Sequence, residues 1–225
     1  MRTLKYIQYF FYLASNWNLR IAWHIIRQEI KGEEKYSIET TGADELRSLS
    51  KKGIDISHAT IYMPASYDML ETLFPKVQSY KPVHFLDIGC GKGRAMCVAA
   101  SYGFTKVTGI DFSKELCDTA KRNLEITKAV HPNLSYNIIN NDAFYYHIPM
   151  DVDCIFLFNP FDEVIMSGVI ENIDVSLEEF PRDIYVIYMN PLHKKQFLQN
   201  GYEETFYTKK IKYLEGCILK KGKQF

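Results

Sequence analysis

One local stretch constrains this fold more than any other: Val83-His84-Phe85-Leu86-Asp87-Ile88-Gly89-Cys90-Gly91-Lys92-Gly93-Arg94. An apolar run ends in a carboxylate, three glycines alternate with other residues, and a helical pattern follows. That order reads as a strand, a tight turn and a helix N-terminus. Glycines let the backbone take up positive φ and let a ligand lie against bare main chain. The helix start adds unpaired N–H groups. A dinucleotide fingerprint spaces its glycines G-x-G-x-x-G and seats a pyrophosphate. Here the third glycine comes one residue early, and Asp87 stands two residues before the first. A carboxylate in that place repels a pyrophosphate and attracts an ammonium group.

The chain downstream alternates strands with helices. Lys106-Val107-Thr108-Gly109-Ile110-Asp111 reads as a second strand ending in an acid, about 18 residues after Gly93, where a βαβ unit brings its next strand tip beside the loop. Leu134-Ser135-Tyr136-Asn137-Ile138-Ile139-Asn140 reads as a third, followed by Asn141-Asp142-Ala143-Phe144. Asp153-Cys154-Ile155-Phe156-Leu157-Phe158 is a nearly continuous apolar run, suited to a central parallel strand buried on both faces. It leads into Asn159-Pro160-Phe161-Asp162. A fifth strand is expected at Asp183-Ile184-Tyr185-Val186-Ile187-Tyr188, and helical patterns at 95–100, 113–126, 163–175 and 191–198. Two further strand-like runs, 202–208 and 211–219, are joined by Lys209-Lys210. The expected fold class is α/β: a seven-stranded, mostly parallel sheet with helices on both faces and a C-terminal antiparallel hairpin.

These motifs resemble class I S-adenosylmethionine (SAM) dependent methyltransferases over about residues 56–219. The resemblance implies a Rossmann-like fold and SAM as cofactor. It implies that Asp87, Gly89, Cys90, Gly91 and Gly93 hold the methionine part of SAM. Asp111, with Phe112 beside it, would then accept from the ribose hydroxyls, and Asp142 and Ala143 would meet the adenine. Each acid has a plainer reading. Asp111 could cap a helix, although Ser113 suits that role better, and Asp142 could form an Asx-turn.

Asn159-Pro160-Phe161 resembles the Asn/Asp-Pro-Pro-aromatic motif of methyltransferases that modify amino or amide nitrogens. The sequence departs from that motif in having one proline and Phe in place of Pro-Tyr, which counts against a nucleic-acid base more than against nitrogen in general. An Asn carbonyl can accept from a substrate N–H and aim the nitrogen lone pair at the methyl group, while the ring packs on the substrate. Asn159 is also assigned to the cofactor edge. The plainer reading is a proline that stops a strand.

Tyr62 and Pro64, in Ser57-His58-Ala59-Thr60-Ile61-Tyr62-Met63-Pro64, match a Tyr-x-Pro element of some protein-lysine methyltransferases of this fold, loosely of the Dot1 type, where it lies against SAM. Pro at a helix start is also ordinary helix chemistry. Tyr188, Asn190 and His193 end the fifth strand on the edge where ligands sit in parallel sheets, and are expected to line the substrate pocket. Methyl transfer from a sulfonium requires no metal and no covalent intermediate, and the six histidines show no ligand spacing.

The chain of 225 residues balances 27 basic against 27 acidic side chains, which does not suit a dedicated duplex-binding protein. A run of lysines near the C-terminus (Lys209, Lys210, Lys212, Lys220, Lys221, Lys223) reads as a solvated hairpin and tail. Five scattered cysteines form no framework, so a reducing, cytoplasmic setting is expected. Residues 4–30 read as one or two amphipathic helices, too short and polar to span a membrane, that cover the site, form a homodimer or lie on a membrane surface. Residues 31–58 read as a polar surface connection with a short helix at 43–49. The domain plan is therefore a helical extension, 1–55, and a SAM-dependent methyltransferase domain, 56–225. The expected reaction is methyl transfer to nitrogen of a protein lysine or a small amine. The alternatives are a nucleic-acid base N-methyltransferase and a non-catalytic SAM-binding module.

Overall fold

The computed structural model describes residues 2–16, 18–42, 64–158, 161–210 and 214–222. The expected helix at 43–49, Tyr62, Asn159 and Pro160 lie outside them. Seven strands form one sheet: β1 (His84–Ile88), β2 (Lys106–Asp111), β3 (Ser135–Asn140), β4 (Cys154–Phe158), β5 (Ile184–Met189), β6 (Glu203–Lys210) and β7 (Leu214–Lys221). Their order is β3-β2-β1-β4-β5-β7-β6. The first five run parallel, and β7 pairs antiparallel with both β5 and β6. The expected class, including the closing hairpin, is the one observed. The apolar runs explain the middle of the sheet. β1 and β5 are buried at every position, whereas β3 and β6 at the edges alternate with solvent.

The chain leaves β1 toward β2 and β3 on one side, then returns to β4 on the other side of β1. That reversal opens a crevice at the carboxyl ends of β1 and β4, where ligands bind in such sheets. Side chains alternate between two cores. Phe85, Val107, Phe156 and Ile187 face one, and Leu86, Ile110, Leu157 and Tyr188 face the other.

The helices are α1 (Arg2–Asn16), α2 (Leu19–Tyr36), α3 (Tyr67–Gln78), α4 (Arg94–Ser101), α5 (Lys114–Val130), α6 (Glu163–Glu179) and α7 (Lys194–Gln199). Their starts follow the sequence. Asn18 Oδ1 accepts from Ile21 N at 2.9 Å, Ser113 Oγ from Leu116 N, and Asp162 Oδ1 from both Val164 N and Ile165 N. α3 continues through Pro75 to Gln78 because Phe74 and Val77 are fully buried, although the proline costs one helix bond. Lys209, Lys210, Lys220 and Lys221 pair with Glu215, Asp68, Asp183 and Asp174, so these lysines form no free basic patch.

The N-terminal part departs from expectation. Residues 31–36 continue α2, and Ile38, Thr40 and Thr41 are buried against the domain instead of crossing its surface. The cause is an acid on the inner face of the helix. Glu33 Oε1 accepts from the backbone N–H of Thr40 at 2.5 Å and of Thr41 at 2.6 Å, folding the strap back beneath α2. Gly32 lets α2 reach α3: a Cβ there would stand 2.1 Å from the Tyr67 ring. Alanine normally favours a helix over glycine by about 1 kcal/mol. Here Gly32→Ala is expected to destabilise by about 1–3 kcal/mol through overpacking. Tyr67 cannot easily yield, since it is held between the Tyr36 ring at 5.7 Å and the Arg94 guanidinium at 4.1 Å. The urea midpoint measures this, and a raised midpoint would show that the ring moves freely.

Candidate active site

The three loop glycines all have positive φ: 82° at Gly89, 53° at Gly91 and 78° at Gly93. This explains their alternation, since other residues resist that region. The loop is fastened to the tip of β2. Gly89 N and Cys90 N both donate to Ile110 O at 2.9 Å, and Gly91 N donates to Asp111 Oδ2 at 2.8 Å. The backbone N–H groups of Gly89, Cys90 and Gly91 therefore already have protein acceptors.

Cys90 turns its side chain down into the core. A Cβ on Gly109 would lie 2.8 Å from Cys90 Sγ and 2.5 Å from Met96 Sδ. Cys90 is thus a packing residue, and Gly109 is required by the close approach of loop and strand. A lone glycine inside a strand pattern carries that signal.

Asp87 and Asp111 share a sheet face. Asp87 pairs in register with Gly109, and Asp111 lies two residues further along β2. Asp111 is buried, with Oδ1 accepting from Ser113 N and Oδ2 from Gly91 N, each at 2.8 Å. Burial pushes its carboxyl up to about 6, against the pull of those two N–H groups. Asp87 is 2% exposed, and no hydrogen bond reaches its carboxylate from the described residues. Burial first, then the neighbouring Asp111 charge, raises its carboxyl well above the ordinary range. Two carboxylates held out of water without a cation are costly. An incoming ammonium or sulfonium would relieve both, so the residues present fit SAM.

The other expected contacts are distributed unevenly. Asp142 is exposed beyond β3, and its Oδ1 caps the short 3-10 helix Ala143–Tyr145 through Phe144 N, so the Asx-turn reading is realised there. Ala143 is buried, and Phe112 is half-buried with its carbonyl accepting from Asn140 Nδ2. Phe161 is half-buried against the second core.

Tyr188 corrects the sequence reading. It is fully buried under Phe197, and its hydroxyl accepts from His193 N, so it supports the strand end rather than lining a pocket. Asn190 turns the chain at φ 49°, and His193 is half-buried just before α7.

Sequence reasoning missed the group that ties the N-terminal helices to the loop. Arg94, the first residue of α4, is 3% exposed. Its Nη1 and Nη2 donate to Glu29 Oε1 and Oε2 at 2.8 and 2.5 Å, its Nε to Thr40 Oγ1, and its Nη1 also to Ala65 O. Asn123 holds the strap from the other side, pairing with both backbone groups of Glu39 and with Lys92 O. The available signal was Glu29 and Glu33 recurring on the same helix face as Ala22 and Ile26.

Comparison with known proteins gives this geometry a class. Residues 85–180 match the family model described as a methyltransferase domain. Among solved structures, the chain is similar to the ribosomal protein L11 methylase of Lactobacillus delbrueckii subsp. bulgaricus, with a TM-score of 0.50 and 19% identity, covering 70% of this chain and 79% of that one. It is also similar to magnesium protoporphyrin IX methyltransferase from Synechocystis PCC 6803 with bound SAM (TM-score 0.51, 15% identity, 68% and 77% covered). The structure titled StiE O-MT gives a TM-score of 0.54 at 12% identity, with 70% and 74% covered. No curated protein matches the sequence. Fold, loop and matched segment are all similar to those of methyltransferase domains. The chain thus has the fold of SAM-dependent methyltransferases, and its residues 85–180 match a methyltransferase domain. These comparisons do not single out the Dot1 type.

A pH dependence follows from Asp111. Its carboxyl titrates near 6 in the fold against 3.8 ordinarily. The unfolded chain therefore loses this proton first, and Asp111 lowers the stability of the free protein as pH rises through that window. If Asp111 meets SAM as expected, affinity runs the opposite way, because the ionised form would attract the cation and accept from the ribose hydroxyls. Affinity measured calorimetrically is expected to fall as pH drops from 7 to 5, and Asp111→Asn to be weaker throughout and flatter. An equally steep profile in Asp111→Asn would remove Asp111 as the titrating group.

Proposed function

We propose that this chain transfers the SAM methyl group to a nitrogen acceptor, a protein lysine or a small amine. The carrying observation is the position of Asn159-Pro160-Phe161 directly after β4. β4 pairs with β1 through Asp87↔Phe156 and Ile88↔Leu157, which sets its end beside the glycine loop. Phe158 packs on the first core and Phe161 on the second, so both flanks of the motif are anchored. SAM, when bound, supplies an electrophilic methyl on a sulfonium. Asp87 receives the ammonium group of the methionine part, Asp111 the ribose hydroxyls, and Asp142 the adenine amine through its remaining carboxylate capacity. Asn159 accepts from the acceptor N–H and turns the nitrogen lone pair toward the methyl, and Phe161 packs on the acceptor. Asn190 and His193 flank that side.

The test is incubation with methyl-labelled SAM and a panel of lysine-containing peptides and small amines. After acid hydrolysis, the label is expected in an N-methylated amine. Label released as methanol would identify an ester and overturn nitrogen as the acceptor.

A further inference from the structure

The helical hairpin of α1 and α2 buries one side and leaves an apolar stripe on the other. Tyr9 and Leu13 pack on Ala22 and Ile26. Leu4, Ile7 and Phe11, at spacings of three and four, fall on the opposite side of α1. With Leu19 and Trp23 of α2 they are 48–67% exposed. Phe10 joins the two helices at this rim, meeting Phe11 and Trp23 edge-on at 5.6 and 6.5 Å. A helix apolar on both faces is normally covered on both, and the described residues cover one.

Charge decides what covers the other. Arg20, Arg27 and Lys31 recur along the exposed face of α2 and have no ion pair among the described residues. The acids of the same helix are turned away: Glu29 to Arg94, and Glu33 to Thr40, Thr41 and Tyr6. Of its acids, Glu34 alone faces solvent. The overall balance of charge therefore conceals a cationic outer face beside an apolar stripe.

We propose that this hairpin docks on an anionic lipid bilayer. Leu4, Ile7, Phe11, Leu19 and Trp23 enter the boundary between headgroups and acyl chains, and Arg20, Arg27 and Lys31 meet lipid phosphates. None of the described helices is long and apolar enough to cross a membrane, so the hairpin lies on the surface. A nucleic acid would use the cations but not the five apolar side chains. A second copy related by a two-fold axis would bring the same cations together.

The test is flotation of the full chain with vesicles of phosphatidylcholine, alone or with a quarter phosphatidylglycerol. Binding is expected to the mixed vesicles, weakly or not at all to phosphatidylcholine alone, and to fall at high salt. Joint Ile7→Ser and Phe11→Ser replacement should reduce binding by on the order of tenfold or more. Joint Arg20→Glu, Arg27→Glu and Lys31→Glu replacement should reduce it by at least about a hundredfold. Both variants should keep the wild-type melting temperature and SAM affinity, since the replaced side chains face away from the core. Absence of binding by the wild type would overturn the proposal, as would undiminished binding by the Ile7/Phe11 variant. A dimer in ultracentrifugation that these substitutions dissociate would assign the stripe to a second copy instead.

Discussion

Replacing Glu29 by alanine is expected to lower the unfolding free energy by about 3–5 kcal/mol, because it breaks a buried ion pair from one side. Arg94 is 3% exposed and both its Nη atoms donate to Glu29, at 2.8 and 2.5 Å. Among the described residues, Thr40 Oγ1, Ala65 O and the Tyr67 ring would still touch the cation. Thr41 Oγ1 would also lose its acceptor, Glu29 Oε2. The size of the loss reflects breaking the pair and does not measure what the pair contributes. Joint Glu29→Met and Arg94→Met replacement should therefore recover most of the stability, since exchanging a buried pair for apolar residues is often neutral or better. Urea unfolding of the three proteins forms the cycle, and a loss below about 1 kcal/mol for Glu29→Ala would mean that water reaches Arg94. The loss can also be taken locally, by undocking of α2 and the strap. In that case hydrogen exchange would quicken in residues 22–42 before the sheet, and SAM affinity would fall, because the strap also holds Lys92 O through Asn123.

The sheet was legible because its chemistry is local. A buried parallel strand appears as an apolar run, the acids Asp87 and Asp111 mark two strand tips, and the hairpin at the end shows as two strand-like runs, although Lys209 and Lys210, expected to join them, belong to β6 and pair with β7. The glycine loop was legible for the same reason, since positive φ leaves a residue signature. The Glu29–Arg94 pair joins residues 65 apart in sequence, and no local pattern couples them. Arg94 looked like the end of a loop motif and Glu29 like the polar face of a surface helix, but the two are paired and buried together. Tyr188 was misplaced for a related reason. Its position at a strand end indicates an edge, but whether that edge is open depends on Phe197 and Tyr202, which close over it from α7 and the turn that follows. That no described residue hydrogen-bonds to the Asp87 carboxylate is likewise a property of the folded crevice.

Asn159→Ala is expected to reduce kcat by on the order of a hundredfold or more while leaving SAM affinity within about twofold. The division rests on where the two halves of the site come from. On the proposed reading, cofactor recognition draws on Asp87 at the tip of β1 and Asp111 at the tip of β2, which sit on one face as a buried acidic pair. The proposed acceptor side draws on the chain that follows β4, the strand next to β1, so removing one amide there should leave that pair intact. An amine acceptor needs a neutral nitrogen with its lone pair aligned to the methyl. Losing the carbonyl that receives its N–H forfeits alignment, not electrophile strength, so the deficit should appear in turnover of the bound complex. Asn159→Asp keeps an acceptor oxygen in nearly the same place and should retain more activity than alanine. Single-turnover methyl transfer from enzyme saturated with SAM, beside calorimetric SAM titration of the same samples, separates the two terms. Lost SAM binding with unchanged turnover per bound complex would place Asn159 on the cofactor side and leave the acceptor to Phe161, Asn190 and His193.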